Sequence, residues 1–307
     1  TRMHTGIVDY EPTELVITAR CGTPLREIEA VLAAQNQMLA FEPPHFGDGA
    51  TFGGAIAAGL AGPRRANSGG VRDFVLGAQL MDGQGEVLKF GGQVMKNVAG
   101  YDVSRLLTGS MGTLGLMLEL SVKVLPVATQ EATLRFETGE IDAIRLLNTW
   151  GGQPLPISAS CWHAGVLMLR LSGARAAVDA AQRSLGGQAM PDAAAFWESL
   201  REQRHAFFEG DAPLWRLSVP STSGAIVLGG EQLIEWGGAQ RWLRAPAQQA
   251  DEIRRAVRAV GGHATLFRGG DKTAGVFQPL APAVARIHER LKTAFDPAHI
   301  FNPGRMF

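Results

Sequence analysis

The chain has 307 residues, 46% of them hydrophobic and 19% charged, with 29 lysines and arginines against 29 aspartates and glutamates. That length allows two domains of ordinary size, and zero net charge lacks the basic excess with which nucleic-acid binders neutralise phosphates. Two isolated cysteines, Cys21 and Cys161, exclude a cysteine-ligated iron–sulfur cluster, which needs about four thiolates, and offer no disulfide framework, so a reducing cytoplasm is expected.

In chain order, residues 15–19 read as a strand. Thr23 is placed to cap a helix with Pro24 at its first position, and Leu25, Ile28, Val31 and Leu32 follow at helical spacing. Residues 73–81 and 86–90 read as strands joined by the turn Asp82-Gly83-Gln84-Gly85. A short helix is predicted over 101–107 and a long strand over 114–125, with Leu116, Leu118, Leu120, Val122 and Val124 on one face. Composition changes near residue 127: all six tryptophans lie beyond it and the densest glycine stretches before it. Beyond the break, strands are predicted at 133–137, 157–162, 166–171, 214–219, 225–228, 240–245 and 263–267. Helices are predicted at 141–150, 174–185, 196–208, 247–260 and 283–295. No apolar run approaches the roughly 20 residues of a membrane span, and no signal-peptide pattern opens the chain.

Four stretches carry chemistry. The first, Glu42-Pro43-Pro44-His45-Phe46-Gly47-Asp48-Gly49-Ala50-Thr51-Phe52-Gly53-Gly54, ends a strand with prolines and runs through small residues into a short apolar helix. Glycines there let a ligand lie on the backbone, and free N–H groups at a helix start suit a diphosphate. A close helix-packing contact accounts for the same residues. The second, Gly92-Gln93-Val94-Met95-Lys96-Asn97-Val98-Ala99-Gly100-Tyr101-Asp102, precedes a turn, Gly109-Ser110-Met111-Gly112-Thr113-Leu114-Gly115, with glycine every third residue. That spacing permits close approach of a flat group, though a helix-to-strand turn often needs glycine anyway. The fourth is the tail, Phe295-Asp296-Pro297 and Phe301-Asn302-Pro303-Gly304-Arg305.

Together these stretches resemble the FAD-binding flavoproteins of the vanillyl-alcohol oxidase and p-cresol methylhydroxylase (PCMH) type. The proline stretch, the lysine–asparagine stretch and the tail narrow the likeness to the FAD-binding subunits of bacterial glycolate oxidases. The resemblance implies an α+β fold: a PCMH-type FAD-binding domain over 1–127, a second α+β domain with an antiparallel sheet over 128–285, and a tail, 286–307, returning to the first. It implies that Pro44, Gly49, Ala50, Thr51, Gly53 and Gly54 line the FAD diphosphate and ribityl chain, that Ser110, Gly112, Thr113 and Gly115 lie near the cofactor, and that Asn302 reaches back toward the flavin. The family opens with an R-G-G-G-type loop that clasps the diphosphate from the other side, and nothing before Tyr10 supplies it. The FAD domain is therefore expected to lack its N-terminal part, and this chain alone to hold FAD weakly or not at all.

The seven histidines form no HxH or HExxH pair, so no metal site is expected. His263 reads as a structural or surface histidine. His45, beside the glycine loop, suits either the cofactor or loop packing. Gly269-Gly270-Asp271-Lys272-Thr273 lacks the spacing of a phosphate loop and reads as a turn. No base stands out. Arg64 or Arg65 could hold a substrate carboxylate in a bidentate contact.

The leading expectation is an FAD-binding component of a glycolate-oxidising complex, inactive by itself and partnered by a second flavoprotein subunit and an iron–sulfur subunit. Membrane association would come through those partners. Residues 236–244, rich in tryptophan and arginine, could anchor them or simply fill the second core. Two alternatives stand beside it: a self-sufficient FAD-dependent 2-hydroxy-acid dehydrogenase, and a flavin-fold scaffold without catalysis.

Overall fold

The computed structural model describes residues 2–92, 102–273 and 275–306; within the second glycine-bearing stretch, residues 93–101 lie outside these. The chain folds as two compact units. One comprises Thr1–Gly62, Gly69–Val127 and Leu280–Phe307, the other Pro63–Ser68 with Ala128–Pro279.

In the first unit, β1 (Ile7–Glu11), β2 (Val16–Arg20), α1 (Leu25–Ala33), β3 (Gln37–Met38) and α2 (Phe52–Ala58) precede α3 (Arg65–Ser68), which clusters with the other unit. Then come β4 (Val75–Met81), β5 (Val87–Gly91), α4 (Val103–Leu106), β6 (Leu116–Lys123) and β7 (Leu125–Pro126). Five strands form an antiparallel sheet in the order β1-β2-β6-β4-β5, and β3 pairs with β7. One face of the larger sheet is covered by α1 and α2, whose Leu25, Ile28, Leu32, Phe52 and Ile56 are fully buried with Ile17, Leu80, Leu120 and Val122. Removing such side chains from water supplies roughly 1.5–3 kcal/mol each. The other face carries a hydroxyl pair, Thr18 with Ser121 at 2.8 Å, and an amide–carboxylate contact, Gln79 to Glu119 at 2.7 Å.

Two sequence expectations are corrected here. Thr23 does not cap α1. Its buried hydroxyl accepts from the Gly6 N–H at 2.9 Å and donates to the Arg20 carbonyl at 2.7 Å, while Pro24 occupies the cap position without a side-chain bond. The Gly6 backbone and the end of β2 outcompeted the local cap. The predicted single face of β6 also breaks. Glu119 faces Gln79 but Met117 faces Leu80, so Leu118 is an extra residue in the ladder. That bulge turns Met117 inward (7% exposed) and leaves Leu116 at 36%.

The second unit contains β8 (Gln130–Glu137), α5 (Glu140–Gly151), β9 (Ile157–His163), β10 (Val166–Gly173), α6 (Arg175–Leu185), β11 (Gln188–Ala189), α7 (Ala194–Arg201) and β12 (Leu214–Ser218). There follow β13 (Glu231–Glu235), β14 (Gln240–Arg244), α8 (Ala250–Ala259) and β15 (His263–Arg268); the last helix, α9 (Pro282–Phe295), returns to the first unit. Its eight strands form one antiparallel sheet, β11-β8-β10-β9-β13-β14-β12-β15. Helices α5, α6 and α8 bury one face through Leu147, Val178, Ile253 and Val257 against Leu167, Leu169, Leu217 and Leu243. On the other face, α7 covers Met168, Leu233 and Trp242 with Trp197 and Leu200.

Three expected elements differ. The predicted helix 196–208 stops at Arg201 and resumes as a 3-10 turn, Ala206–Phe208, after Gln203 takes a φ of 53°. The predicted helix 247–260 begins with a 3-10 turn at Ala247–Gln249 and becomes α-helical only at Ala250. The expected strand at 225–228 is irregular, and the strand lies at Glu231–Glu235 instead, paired with β14 and β9. Gly230 starts that strand at a φ of +119°, where an added Cβ would sit 2.2 Å from the Arg244 carbonyl oxygen.

Gly230→Ala therefore meets both a disfavoured backbone conformation and a backbone atom that cannot yield. A loss of about 3 kcal/mol is expected, read as a lowered urea midpoint with an unchanged m-value.

Candidate functional site

The glycine stretches of the first unit meet at a cleft of about 270 Å³ lined by Thr51, Gly53, Gly54, Gly112, Gly115 and Asn302, with Cys21, Ala57, Met111, Leu116, Met117 and Phe301. Of the residues the sequence singled out, those first six come together here. Pro44, Gly49, Ala50, Ser110 and Thr113 do not line it. Cleft-lining Cys21, Met111 and Phe301 carried no signal in the spacing.

Thr51 starts α2 as an N-cap in extended conformation, its hydroxyl accepting from the Gly54 N–H at 3.1 Å. Gly59 ends the helix in the left-handed region at a φ of 64°. The free N–H groups expected at this helix start are not free. Phe52 donates to the Thr23 carbonyl at 2.8 Å, Gly53 to that of Cys21 at 2.9 Å, and Gly54 to Thr51. The sheet satisfies the helix start itself, so a diphosphate there would have to replace the Thr51 contact or rely on other donors.

The glycines divide by what surrounds them. A Cβ on Gly53 would lie 2.4 Å from the Cys21 Cβ, one on Gly59 2.9 Å from the Gly109 Cα, and one on Gly115 2.7 Å from the Met81 carbonyl oxygen. These three glycines let backbones touch. Gly54 is exposed, and the nearest atom to its added Cβ is the movable Thr51 hydroxyl. Gly112, at a φ of 68°, faces only the Asn302 amide. The turn around it docks on the end of α2, with Gly109 donating to the Ile56 carbonyl and Met111 to that of Ala57. The Gly112 N–H has no hydrogen-bond partner among the described residues. Thr113 is buried, its hydroxyl donating to the Ser110 carbonyl at 2.6 Å, so it shapes the turn from beneath.

Asn302 donates to the Met111 carbonyl at 2.7 Å. What holds it there is a buried network that the sequence did not announce. The Lys292 ammonium, near the end of α9, donates to the Thr113 carbonyl at 2.7 Å, to the Phe301 carbonyl at 2.8 Å and to the Asp296 carboxylate. Asp296 has no exposed surface and also accepts from the N–H groups of Ile300 at 3.1 Å and Phe301 at 2.8 Å. Burial pushes its carboxyl pKa up, but hydrogen bonds from Lys292, Phe301 and Ile300 outweigh that and hold it below the ordinary value. The i, i+4 spacing of Lys292 and Asp296 was the available signal.

Other candidates resolve locally. His45 contacts the Glu29 carboxylate at 2.8 Å, which is loop packing. Arg64 donates to Glu131 at 2.9 Å and to the Ser172 hydroxyl at 3.1 Å, both within the second unit. The Cys21 pKa is pushed up to about 12 by burial and by Glu119, so its sulfur stays a thiol. Among the described residues, no group of three histidine, cysteine, aspartate or glutamate side chains could hold a metal, and no helix is long and apolar enough to cross a membrane.

In shape, the cleft suits part of a cofactor: its volume is near the lower end of the roughly 300–1,000 Å³ of small-molecule sites. Gly54 and Gly112 leave backbone open to it. Among the described residues, its polar groups are the Thr51 hydroxyl, the Asn302 amide and the Gly112 N–H, and no charged side chain lines it.

Residues 1–91 match the model of the FAD binding domain family. Over 306 residues the chain is 52% identical to glycolate oxidase subunit GlcE of Escherichia coli, covering 100% of this chain and 86% of that protein. It is 33% identical to glycolate oxidase subunit GlcD of Bacillus subtilis over 138 residues, 45% of this chain and 29% of the relative. An alkyldihydroxyacetonephosphate synthase structure shares the fold with a TM-score of 0.67 at 14% identity, covering 100% of this chain and 68% of that one.

Asp296 gives the site a pH dependence. Its depressed pKa contributes stability that is complete above the ordinary carboxylate pKa and is lost as pH falls toward the folded-state value. Asp296→Asn should flatten the acid limb of a thermal-denaturation pH series. Lys292→Met, which leaves the carboxylate buried and unpaired, should cost about 3–5 kcal/mol at neutral pH.

Proposed function

The chain belongs to the family of glycolate oxidase subunit GlcE, and on that premise we propose that it is the FAD-binding subunit of a glycolate-oxidising complex, an oxidoreductase component acting on the CH–OH group of a small 2-hydroxy acid. The observation that carries the reading is the glycine-floored cleft of the first unit, closed by Asn302, in a chain 52% identical to GlcE over its whole length. Bound FAD would supply a flavin able to take two electrons as hydride from the substrate's α-carbon.

The chain's own residues would hold that group. Thr51, Gly112 and Asn302 offer hydrogen-bonding groups, and Gly54 offers open backbone. Gly53 and Gly115 keep the cleft walls closely apposed. Pro44, Gly49 and Ala50, on the loop entering α2, are assigned to its approach, and Ser110 and Thr113 support the turn from below. No catalytic base is assigned. Two partners are proposed, a second flavoprotein subunit resembling GlcD and an iron–sulfur subunit that carries electrons onward. Any membrane association would come through them.

Gly54→Val separates cofactor binding from folding better than Gly53→Val, whose Cβ would strike Cys21. In a form that carries the family's R-G-G-G-type loop upstream, the Gly54 variant should lose bound flavin, read as visible absorbance after desalting, while keeping most of its thermal stability. Retained stoichiometric FAD would remove the cleft from the proposal.

Glycolate-dependent dye reduction tests the division of labour. The FAD-loaded protein alone should give little or none, and addition of its partner subunits should restore it together with a stable complex on sizing. Turnover by the isolated protein at the rate of the complex would instead establish a self-sufficient dehydrogenase.

A further inference from the structure

The outermost strand of the second sheet, β11, is two residues long and pairs with β8 only at Leu134 and Arg135. In the register between β8 and β10, Leu134 and Ala132 lie opposite Leu169 and Leu171, and Thr138 continues the same alternation by donating to the Gly165 carbonyl at 2.9 Å. The backbone groups of Ala132, Leu134 and Phe136 therefore turn toward β10, and those of Glu131, Thr133 and Arg135 turn outward. On the outer side Gln188 meets Arg135, and the Met190 N–H reaches the Thr133 carbonyl at 2.9 Å. There the outer strand stops. Pro191 has no N–H to offer, and Asp192 turns the chain away at a φ of 54°. The Thr133 N–H and both backbone groups of Glu131 are left without a hydrogen-bond partner among the described residues.

Where the outer strand would have continued lies a notch of about 630 Å³. Its lining includes Ala132 and Thr133 of β8, Gln182 of α6, Met190, and Ala194 at the start of α7. Thr133 is 4% exposed, and its hydroxyl is already committed to the Trp197 indole N–H at 2.9 Å. A backbone N–H left unpaired at so buried a residue costs about as much as a lost hydrogen bond. Sheet edges are ordinarily covered or blunted by charge. Here alanines leave the backbone accessible.

We propose that this notch docks an extended segment of a partner subunit, which joins the sheet as a short strand beside Glu131–Thr133. Extended backbone presents donors and acceptors at the spacing needed to answer two N–H groups and a carbonyl along one edge. The alanine-rich lining suits apolar side chains of modest size. Charge selects further. Arg64 takes the Glu131 carboxylate at 2.9 Å, whereas the exposed Asp192 carboxylate forms no hydrogen bond or ion pair among the described residues. That free charge favours a segment carrying a lysine or arginine. Pairing the same edge of two copies would instead bring two uncompensated Asp192 carboxylates to one interface, so the charge favours a different chain. The inference rests on the reading above that this protein works with partner subunits.

Hydrogen exchange of the whole protein, alone and reconstituted with the second flavoprotein subunit and the iron–sulfur subunit, tests the notch. Peptides containing Glu131 should exchange at least roughly tenfold more slowly in the complex. Ala194→Trp, on an exposed side chain, should fill the notch and weaken assembly roughly tenfold, with unchanged bound flavin and unfolding midpoint. Asp192→Asn, which keeps a residue type tolerant of its backbone conformation, should weaken assembly less, and mainly at low salt. A stable complex in which these peptides gain no protection, or which Ala194→Trp joins with undiminished affinity, would overturn the inference and leave the proposed function standing. Absence of any complex would overturn both. Concentration-dependent protection of the protein alone would assign the notch to a second copy and overturn the partner-subunit assignment.

Discussion

The cleft of the first unit depends on one buried ammonium. Lys292 is 3% exposed, and a lone charge at such a position costs several kcal/mol unless its partners compensate. Lysine has three protons to place, and here each has an acceptor: the carbonyls of Thr113 and Phe301 and the carboxylate of Asp296. Those acceptors belong to the glycine turn, the tail and the helix end. A single side chain therefore joins the helix end and the tail to a turn remote in sequence, with Lys292 and Thr113 179 positions apart. Asn302 reaches the Met111 carbonyl from a tail whose Ile300 and Phe301 N–H groups are held by Asp296. The same aspartate makes Gly83 obligatory, since a Cβ there would lie 2.6 Å from its Oδ1.

That network changes how the glycine stretches are understood. Viewed as a string, Thr51-Phe52-Gly53-Gly54 suggests open N–H groups around a bound phosphate. In the fold, the neighbouring strand takes the N–H groups of Phe52 and Gly53, and the cap hydroxyl takes that of Gly54. Unsatisfied donors at a helix start are expensive, and the protein supplies acceptors before any ligand does. These glycines divide by what faces them: Gly53, Gly59 and Gly115 bring backbones together, while Gly54 and Gly112 leave surface uncovered.

The second unit distributes its chemistry by sheet face. The face under α5, α6 and α8 is apolar along β10 and β12, while β14 adds the fully buried Arg241 beside Leu243. The opposite face grades from the aromatic cluster of Phe207, Phe208, Trp197 and Trp242 into Glu235, Gln240 and Arg216. Trp242 joins the two halves, with its ring among the aromatics and its indole N–H on Glu235. Of the tryptophans near residue 236, Trp242 thus fills the core and Trp236 carries two arginines, so one local composition serves two purposes.

Sequence alone determined the elements whose pattern is local. The periodicity of Leu25, Ile28 and Leu32 specifies a buried helix face, the turn at residues 82–85 specifies a hairpin, and the shared motif set specifies a PCMH-type flavoprotein fold related to GlcE. Cofactor-stretch residues were legible because glycine is recognisable wherever it stands. What each glycine does was not legible, because that depends on the atom facing its missing Cβ, and that atom comes from another segment. The bulge at Leu118, the internal role of Thr23, the attachment of Arg64 and Arg65 to the second unit and the Lys292 network were decided only in the tertiary structure. Each rests on a contact between residues remote in sequence. A hydrogen bond or ion pair of that kind leaves no period in the chain, and its energy appears only once both partners have been buried together.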